Sequence, residues 1–192
     1  MLKVTTNAEQ VSFRLGQLAT GVGMSVRHAG YSAAAAAVGE LTRRHLIRLD
    51  SWKHRSAEKL GAQPTGILGK AAGKVSETAT DQFGEVSITS PAVRRAFHDV
   101  EIRPKNWDFL TIPASREAYG KRASVLASLG WQLFRPGKKR ILMGKLGDDA
   151  PKVLYYLATS VHQRQDRSLL PSDREISSAA ANAMMAIIRK AR

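Results

Sequence analysis

Apolar residues recur every three or four positions from about Met24 to His54, and this spacing predicts a long amphipathic helix. Its apolar stripe includes Val38, Leu41, Leu46 and Leu49. Five consecutive alanines at 33–37 remove side-chain bulk, so another helix or a neighbouring subunit could approach this helix closely. The high helix propensity of alanine explains the same run without any partner, and the pattern leaves both explanations open.

Capping signals predict two further helices. Asn7 and Gln10 resemble a capping box and precede apolar residues at helical spacing, which predicts a first helix over about 8–19. Ser172 and Glu175 form the same kind of motif near the other end of the chain. They predict a closing helix over 172–192, whose apolar face consists of Ile176, Ala180, Ala183, Met184, Ile187 and Ile188.

Alternation of apolar and polar residues predicts a β-hairpin in the middle of the chain, with strands at 75–79 and 85–89. The segment 152–157 is almost continuously apolar, as expected of a central strand covered on both faces, although its periodicity also fits a buried helix. Further short strands are predicted at 99–102, 130–134 and 140–143, with a turn or short helix at 91–97.

Two prolines organise the segment from Ile102 to Ala123. Pro104 and Pro113 lack a backbone N–H and favour extended geometry before them, so they bracket a predicted strand at 108–112. Ser115 is a good helix cap, and the residues after it predict a polar helix that continues to Ala123.

The stretch 60–74 is rich in glycine and alanine and predicts a flexible, extended loop. Its Gly69-Lys70 pair does not make a phosphate-binding P-loop, because Pro64 replaces the first glycine and Ala71 replaces the serine or threonine. The whole pattern predicts an α+β fold with N-terminal helices, an antiparallel sheet of five or six short strands with a small inserted helix, and a C-terminal amphipathic helix. We expect one domain over 1–192, with a helical part at 1–54 and the sheet at 75–160.

The chain has 30 Lys and Arg against 16 Asp and Glu, a formal charge of +14. An excess of this size indicates an acidic partner, either nucleic acid or an acidic protein surface, or else a merely solvated basic surface. Trp52 could stack on a base, although packing in the core is the favoured role. The candidate contacts are Arg43, Arg44, Arg48, Lys53, Arg55 and Lys59 near the end of the long helix, and Lys138, Lys139 and Arg140 at a predicted turn.

The sequence offers little for catalysis. Cysteine is absent, which excludes disulfides and thiolate zinc sites. His45 and His54 lie nine residues apart with no carboxylate at ligand spacing, so no metal site is predicted. We expect no enzyme and no cofactor, with a hydrolase assembled from distant residues as a third alternative. The N-terminus does not resemble a secretory signal, and no apolar run approaches the ~20 residues that a membrane span requires.

Several short motifs follow one another in an order that resembles the phage virion-morphogenesis and minor tail (tail-completion) proteins. The resemblance covers about residues 55–192, and the local turn differs, because Ala62-Gln63-Pro64 stands where the family often has a second glycine and a polar aromatic run. The motifs are Lys59-Leu60-Gly61, Ile102-Arg103-Pro104-Lys105, Leu110-Thr111-Ile112-Pro113, Glu117-Ala118-Tyr119-Gly120-Lys121-Arg122, Val153-Leu154-Tyr155 and Leu170-Pro171.

The resemblance implies a structural virion protein that completes the tail or forms part of the head-to-tail neck, assembled in the host cytoplasm. It implies a ring of six subunits that contacts a tail terminator, tail tube, head-closure or adaptor protein, with genomic DNA in the lumen. The loop with Gly61, Pro64, Gly66 and Gly69 would reach a neighbouring subunit. The alternative hypothesis is a basic nucleic-acid-binding protein without a virion role.

Overall fold

The structure is a computed structural model that describes residues 2–3, 10–13, 23–52 and 55–191. The predicted α+β class is confirmed, with the long helix near the N-terminus and the closing helix at the C-terminus. The helices are α1 (Met24–Trp52), α2 (Arg55–Lys59), α3 (Ile67–Ala72), α4 (Pro91–Phe97), α5 (Ala123–Ser128) and α6 (Asp173–Lys190), together with a 3₁₀ turn at Arg167–Leu169. The strands are β1 (Leu2–Lys3), β2 (Gln10–Phe13), β3 (Val75–Ala79), β4 (Gly84–Ile88), β5 (Val100–Ile102), β6 (Leu110–Pro113), β7 (Trp131–Phe134), β8 (Ile141–Leu146), β9 (Lys152–Ala158) and β10 (Val161–Gln163).

The chain divides into two compact units, each built from segments that are distant in sequence. The first unit comprises Met1–Trp52, Gly66–His98 and Arg164–Arg192. The second unit comprises Lys53–Thr65 and Asp99–Gln163. The first unit therefore contains α1, α3, α4, α6, the strands from β1 to β4 and the 3₁₀ turn, and the second contains α2, α5 and the strands from β5 to β10.

The strands of the described residues form three antiparallel sheets, so the prediction of a single sheet is wrong. The first unit has the order β1-β2-β4-β3, and the second unit has a pair, β10-β5, and a sheet with the order β6-β9-β8-β7. The hairpin β3–β4 was predicted correctly, but β4 pairs next with the N-terminal β2, and β5 pairs with β10. Local patterns predict strands but not these distant partners, and the partners decide how many sheets are formed.

The predicted helix over 8–19 is wrong where the structure describes it. Residues Gln10–Phe13 form strand β2, in which Val11 is paired with Val86 of β4. The segment Gln-Val-Ser-Phe alternates between polar and apolar residues, which suits a strand, and pairing with β4 satisfies its backbone groups. The remainder of the predicted helix lies outside the described residues.

The prediction of an extended loop over 60–74 is wrong in part, because Ile67–Ala72 form helix α3. The backbone N–H of Leu68, in the first turn of α3, donates to Oδ1 of Asp50 on α1 at 3.0 Å. Gly66 precedes α3 in the left-handed conformation (φ 66°). The helix therefore begins with a cap supplied by a residue 18 positions away, which local composition does not reveal.

The polar helix predicted after Ser115 is also shorter than expected. Ser115 does cap a turn, since its Oγ accepts from the N–H of Ala118 at 3.4 Å. Gly120 then adopts a left-handed conformation (φ 71°), which ends the turn, and helix α5 begins only at Ala123. A Cβ at Gly120 would come within 2.8 Å of the Thr65 side chain, so this position also needs glycine for space.

The core of the first unit lies where α1 packs against α6 and the hairpin β3–β4. Val38 and Leu46 of the predicted stripe are fully buried, as are Ala34 and Ala35. A Cβ at Gly30 would lie 3.2 Å from Cγ of Met184 on α6. Gly30 therefore allows α1 and α6 to approach closely, and Ala34 and Ala35 of the alanine run are buried in the same cluster as Met184. Helix α6 begins with the predicted Ser172–Glu175 capping box.

The core of the second unit is formed where α5 and the turn after Ser115 cover one face of the sheet β6-β9-β8-β7. Leu154 and Tyr155 of β9 are consecutive, yet both are fully buried in this cluster. The pairing explains this, because Leu142 pairs with Tyr155 while Met143 pairs with Val153, so Leu154 is an extra residue in a bulge. The prediction that β9 is covered on both faces is wrong, since the next residue, Tyr156, is exposed.

Candidate interaction surfaces

The arginines predicted on α1 as contacts for an acidic partner make contacts within the chain. Arg43 is half-buried: its guanidinium forms an ion pair with Glu77 of β3 at 2.6 Å and donates to the carbonyl of Val75 at 3.1 Å. Arg44 donates to Glu40 one turn earlier at 2.7 Å. Arg43 therefore fastens α1 to the hairpin, whereas Arg44 remains largely exposed.

His45, one of the two histidines for which no metal site was predicted, makes hydrogen bonds near the end of α1. Nε2 of His45 lies 2.9 Å from the carbonyl oxygen of Ser168, and Nδ1 lies 3.3 Å from the guanidinium of Arg48. No group of three His, Asp or Glu side chains suited to a metal ion occurs in the described residues. Lys59 is exposed at the end of α2, whereas Lys53, His54 and the side chains of Trp52 and Arg55 lie outside the described part.

The predicted cationic turn lies between β7 and β8 and is stiffened by one of its own arginines. Nε of Arg135 donates to the carbonyl of Lys139 at 2.8 Å, and its guanidinium lies 4.9 Å from the ring centroid of Phe109. The side chains of Lys138, Lys139 and Arg140 are all exposed. The tip is thus a turn with exposed cations that is bridged by Arg135, and no described carboxylate forms a salt bridge with these cations.

The four positions predicted to contact a neighbouring subunit are distributed over both units. Gly61 (φ 60°) closes α2 and donates to the carbonyl of Glu58 at 3.0 Å, and Pro64 is exposed. Gly66 and Gly69 flank the start of α3 beside Asp50, so they have a structural role there. The structure does not place the four glycine and proline positions in one exposed loop.

Sequence reasoning missed an apolar surface on the sheet β6-β9-β8-β7, opposite the core of the second unit. Cross-strand partners share a face, and Tyr156 pairs with both Ile112 and Ile141, while Met143 pairs with Phe134. Ile112, Phe134 and Tyr156 are 38%, 42% and 55% exposed. We call this surface the outer face; it consists of Leu110, Ile112, Phe134, Ile141, Met143, Val153 and Tyr156.

The residues of the outer face could have been found only after the pairing of the strands was known. Strand β8 reads Ile-Leu-Met-Gly-Lys-Leu, and both alternating sets of side chains are largely apolar, so alternation does not say which set faces the core. The buried set can be recognised from Gly144, where a Cβ would overlap Leu154 and approach Trp131 to 3.0 Å. The other set is therefore the one left open.

A second feature that the sequence did not reveal is an open hollow of about 320 Å³ between α3 and α4. Three cations line it, Lys70, Lys74 and Arg95, and no lining residue is acidic. Ser90 lies at its inner wall and is 5% exposed.

No helix in the described residues is long and apolar enough to cross a bilayer. Comparison with known proteins finds no matching family model, no similar curated protein and no similar solved structure.

Proposed function

We propose that this chain is a structural virion protein of a tailed phage or prophage, completing the tail or forming part of the head-to-tail neck as a homohexameric ring. The observation that carries the proposal is the outer face of the sheet β6-β9-β8-β7. A cluster of apolar side chains left exposed on one face of a sheet is typical of a surface that packs against another protein. Lys145 and Gln132 form a cross-strand pair beside the cluster and supply a polar rim.

The order of motifs that resembles tail-completion proteins gives independent support. In the second unit, Leu110–Pro113 pairs directly with the strand that contains Val153-Leu154-Tyr155. The hydroxyl of Tyr155 donates to the carbonyl of Lys121 at 3.1 Å, and Lys152 forms an ion pair with Glu117 at 2.6 Å. Three of the motifs are therefore neighbours around one core, and together they hold the sheet whose other side is the outer face.

A closed ring needs a heterologous contact, in which two different patches of each subunit meet. In this proposal the outer face is one patch and binds a different patch on the next subunit. The ring then contacts a tail terminator, tail tube, head-closure or adaptor protein, and its exposed cations face acidic neighbours or the DNA in the lumen.

The test is the oligomeric state of the purified chain, measured by sedimentation velocity with two matched variants. Tyr156→Glu places a charge at the centre of the outer face and should abolish assembly. Val125→Glu introduces the same charge at an exposed apolar position of α5, away from the outer face, and should leave assembly unchanged. Equal effects of both variants, or a chain that stays monomeric at every concentration, would argue against assembly through this face.

The alternative hypothesis, a basic nucleic-acid-binding protein, is favoured by the exposed cations of the tip Lys138, Lys139 and Arg140. A protein that binds nucleic acid through such cations loses affinity steeply with salt, with a log–log slope of about −0.9 for each phosphate contact on duplex DNA. Replacing the three cations by glutamine should reduce that slope by about three if they bind phosphates. An unchanged slope would exclude the tip as the contact.

A further inference from the structure

The open hollow between α3 and α4 is lined by three exposed cations, four apolar residues and a serine, and by no acidic residue. Lys70 and Lys74 lie one turn apart at the end of α3 and beyond it, and Arg95 approaches from α4. None of these three cations forms an ion pair with a described residue. The Arg43 and Arg44 side chains on α1, by contrast, are matched by Glu77 and Glu40.

The backbone holds the lining residues in place. The N–H of Thr89 donates to the carbonyl of Lys74 at 3.1 Å, and the N–H of Arg94 donates to the carbonyl of Ser90 at 3.0 Å. The first bond joins Lys74 to the residue before Ser90, and the second forms the first turn of α4, the helix that carries Arg95.

Ser90 provides the second, independent observation. The residue as a whole is 5% exposed and lines the hollow, and its hydroxyl makes no hydrogen bond to a described residue. The hydroxyl is not among the enclosed polar atoms that lack a partner in the described residues, which fits a group that is open to the hollow. A hydroxyl donor on the wall of a hollow ringed by three cations is suited to an oxygen of an anionic ligand.

We infer that this hollow binds a phosphate group, with Lys70, Lys74 and Arg95 neutralising its charge and the hydroxyl of Ser90 donating to one of its oxygens. Ile67 and Pro91 supply apolar surface beside the cations, which suits a phosphate attached to an organic body. The volume is at the lower end of the range for small-molecule sites, about 300–1,000 Å³. Two sources share this chemistry, a free nucleotide and a phosphodiester of a nucleic-acid strand.

The site is tested by titrating the full chain with inorganic phosphate, with a nucleoside monophosphate and with a short single-stranded oligonucleotide, monitored by amide chemical shifts. Binding should shift the amide signals of Lys70, Lys74 and Ser90 and those of the segment from Ala92 to Arg95. Saturation by the monophosphate assigns the site to a nucleotide, and saturation by the oligonucleotide alone assigns it to a nucleic-acid backbone. No shift at these amides with any of the three probes would overturn the inference.

Three variants distinguish specific binding in the hollow from the general attraction of anions to a chain with a charge of +14. Replacing Lys70, Lys74 and Arg95 by glutamine should weaken binding at least tenfold, and the matched replacement of Lys138, Lys139 and Arg140 should change it less than threefold. Ser90→Ala keeps the charge and should weaken binding about tenfold, because it removes a hydrogen bond to a charged group. Equal losses in the two triple variants would show that net charge, and not the hollow, binds the phosphate.

Discussion

The carboxylate of Glu77 on β3 lies directly over Gly39 of α1, where a side chain at position 39 would overlap it. The same carboxylate forms the ion pair with Arg43, one turn further along α1, at 2.6 Å. Gly39 therefore provides the space in which the helix and the hairpin are joined by a half-buried ion pair. Glycine inside a helix is unfavourable by itself, so its presence here is explained by this contact.

Gly39→Ala should destabilise the chain by about 1–3 kcal/mol, because the new methyl group displaces Glu77 and leaves Arg43 without its main partner. In a Glu77→Ala background the same change should instead stabilise the chain by up to ~1 kcal/mol, since alanine is the better helix former. The parent chain, the two single variants and the double variant form a double-mutant cycle. Denaturant titration of these four proteins measures their free energies of unfolding and checks whether the effect of Gly39→Ala changes sign. The same sign in both backgrounds would contradict the contact.

Gly144 of β8 has a corresponding role in the second unit. A Cβ there would overlap Leu154 and lie 3.0 Å from Trp131 and 3.1 Å from Leu133. Gly144→Ala should lower the free energy of unfolding by about 1–3 kcal/mol through overpacking. Gly73→Ala is the control, because Gly73 has a φ of −69°, which alanine adopts without strain, and a Cβ there would make an ordinary contact of 3.6 Å with the carbonyl oxygen of Lys70. Its destabilising effect should not exceed about 0.5 kcal/mol.

The capping box of α6 predicts a dependence of stability on pH. The hydroxyl and backbone N–H of Ser172, together with His45 and Arg48, hold the pKa of Glu175 below its usual value. A lowered pKa in the folded state stabilises the chain above the usual pKa of glutamate, and this stabilisation is lost as the pH falls through the lowered value. Glu175→Gln should therefore lower Tm at neutral pH, and the difference from the parent should disappear in acid. A difference that does not change with pH would contradict this account of the cap.

Arg135 should hold the backbone of the cationic tip, Lys138 to Arg140, in a single conformation. It donates to the carbonyls of Lys139 and Lys138 at 2.8 and 3.3 Å and lies over the ring of Phe109. Arg135→Lys keeps the charge but cannot reproduce the planar fork, and it should lower stability by about 0.5–1 kcal/mol. Hydrogen exchange of the backbone amides of the tip should become faster in this variant, and unchanged exchange would show that the turn is held by its backbone alone.

The parts of the fold that the sequence predicted correctly are those with complete local signals. The helix α1 has a long apolar stripe, the hairpin β3–β4 alternates around a short turn, and α6 begins with a capping box whose two hydrogen bonds are both present. In each case, the residues that determine the element are within a few positions of one another.

The parts that the sequence did not predict depend on distant partners. Strand β2 needs the edge of β4, and α3 needs the carboxylate of Asp50. The hollow between α3 and α4 combines two lysines from one segment with Ser90 and Arg95 from another, so no sequence motif predicts it. The outer face, likewise, is visible only once the bulge at Leu154 shows which side chains are buried.

The most direct test of the proposed function is electron cryomicroscopy of intact particles produced by a host that carries this gene. We expect a ring of six copies in the neck or at the end of the tail. In this ring, the outer face with Ile112, Phe134 and Tyr156 is buried against the next subunit. Particles that lack the chain, or a ring in which the outer face is turned to solvent, would contradict it.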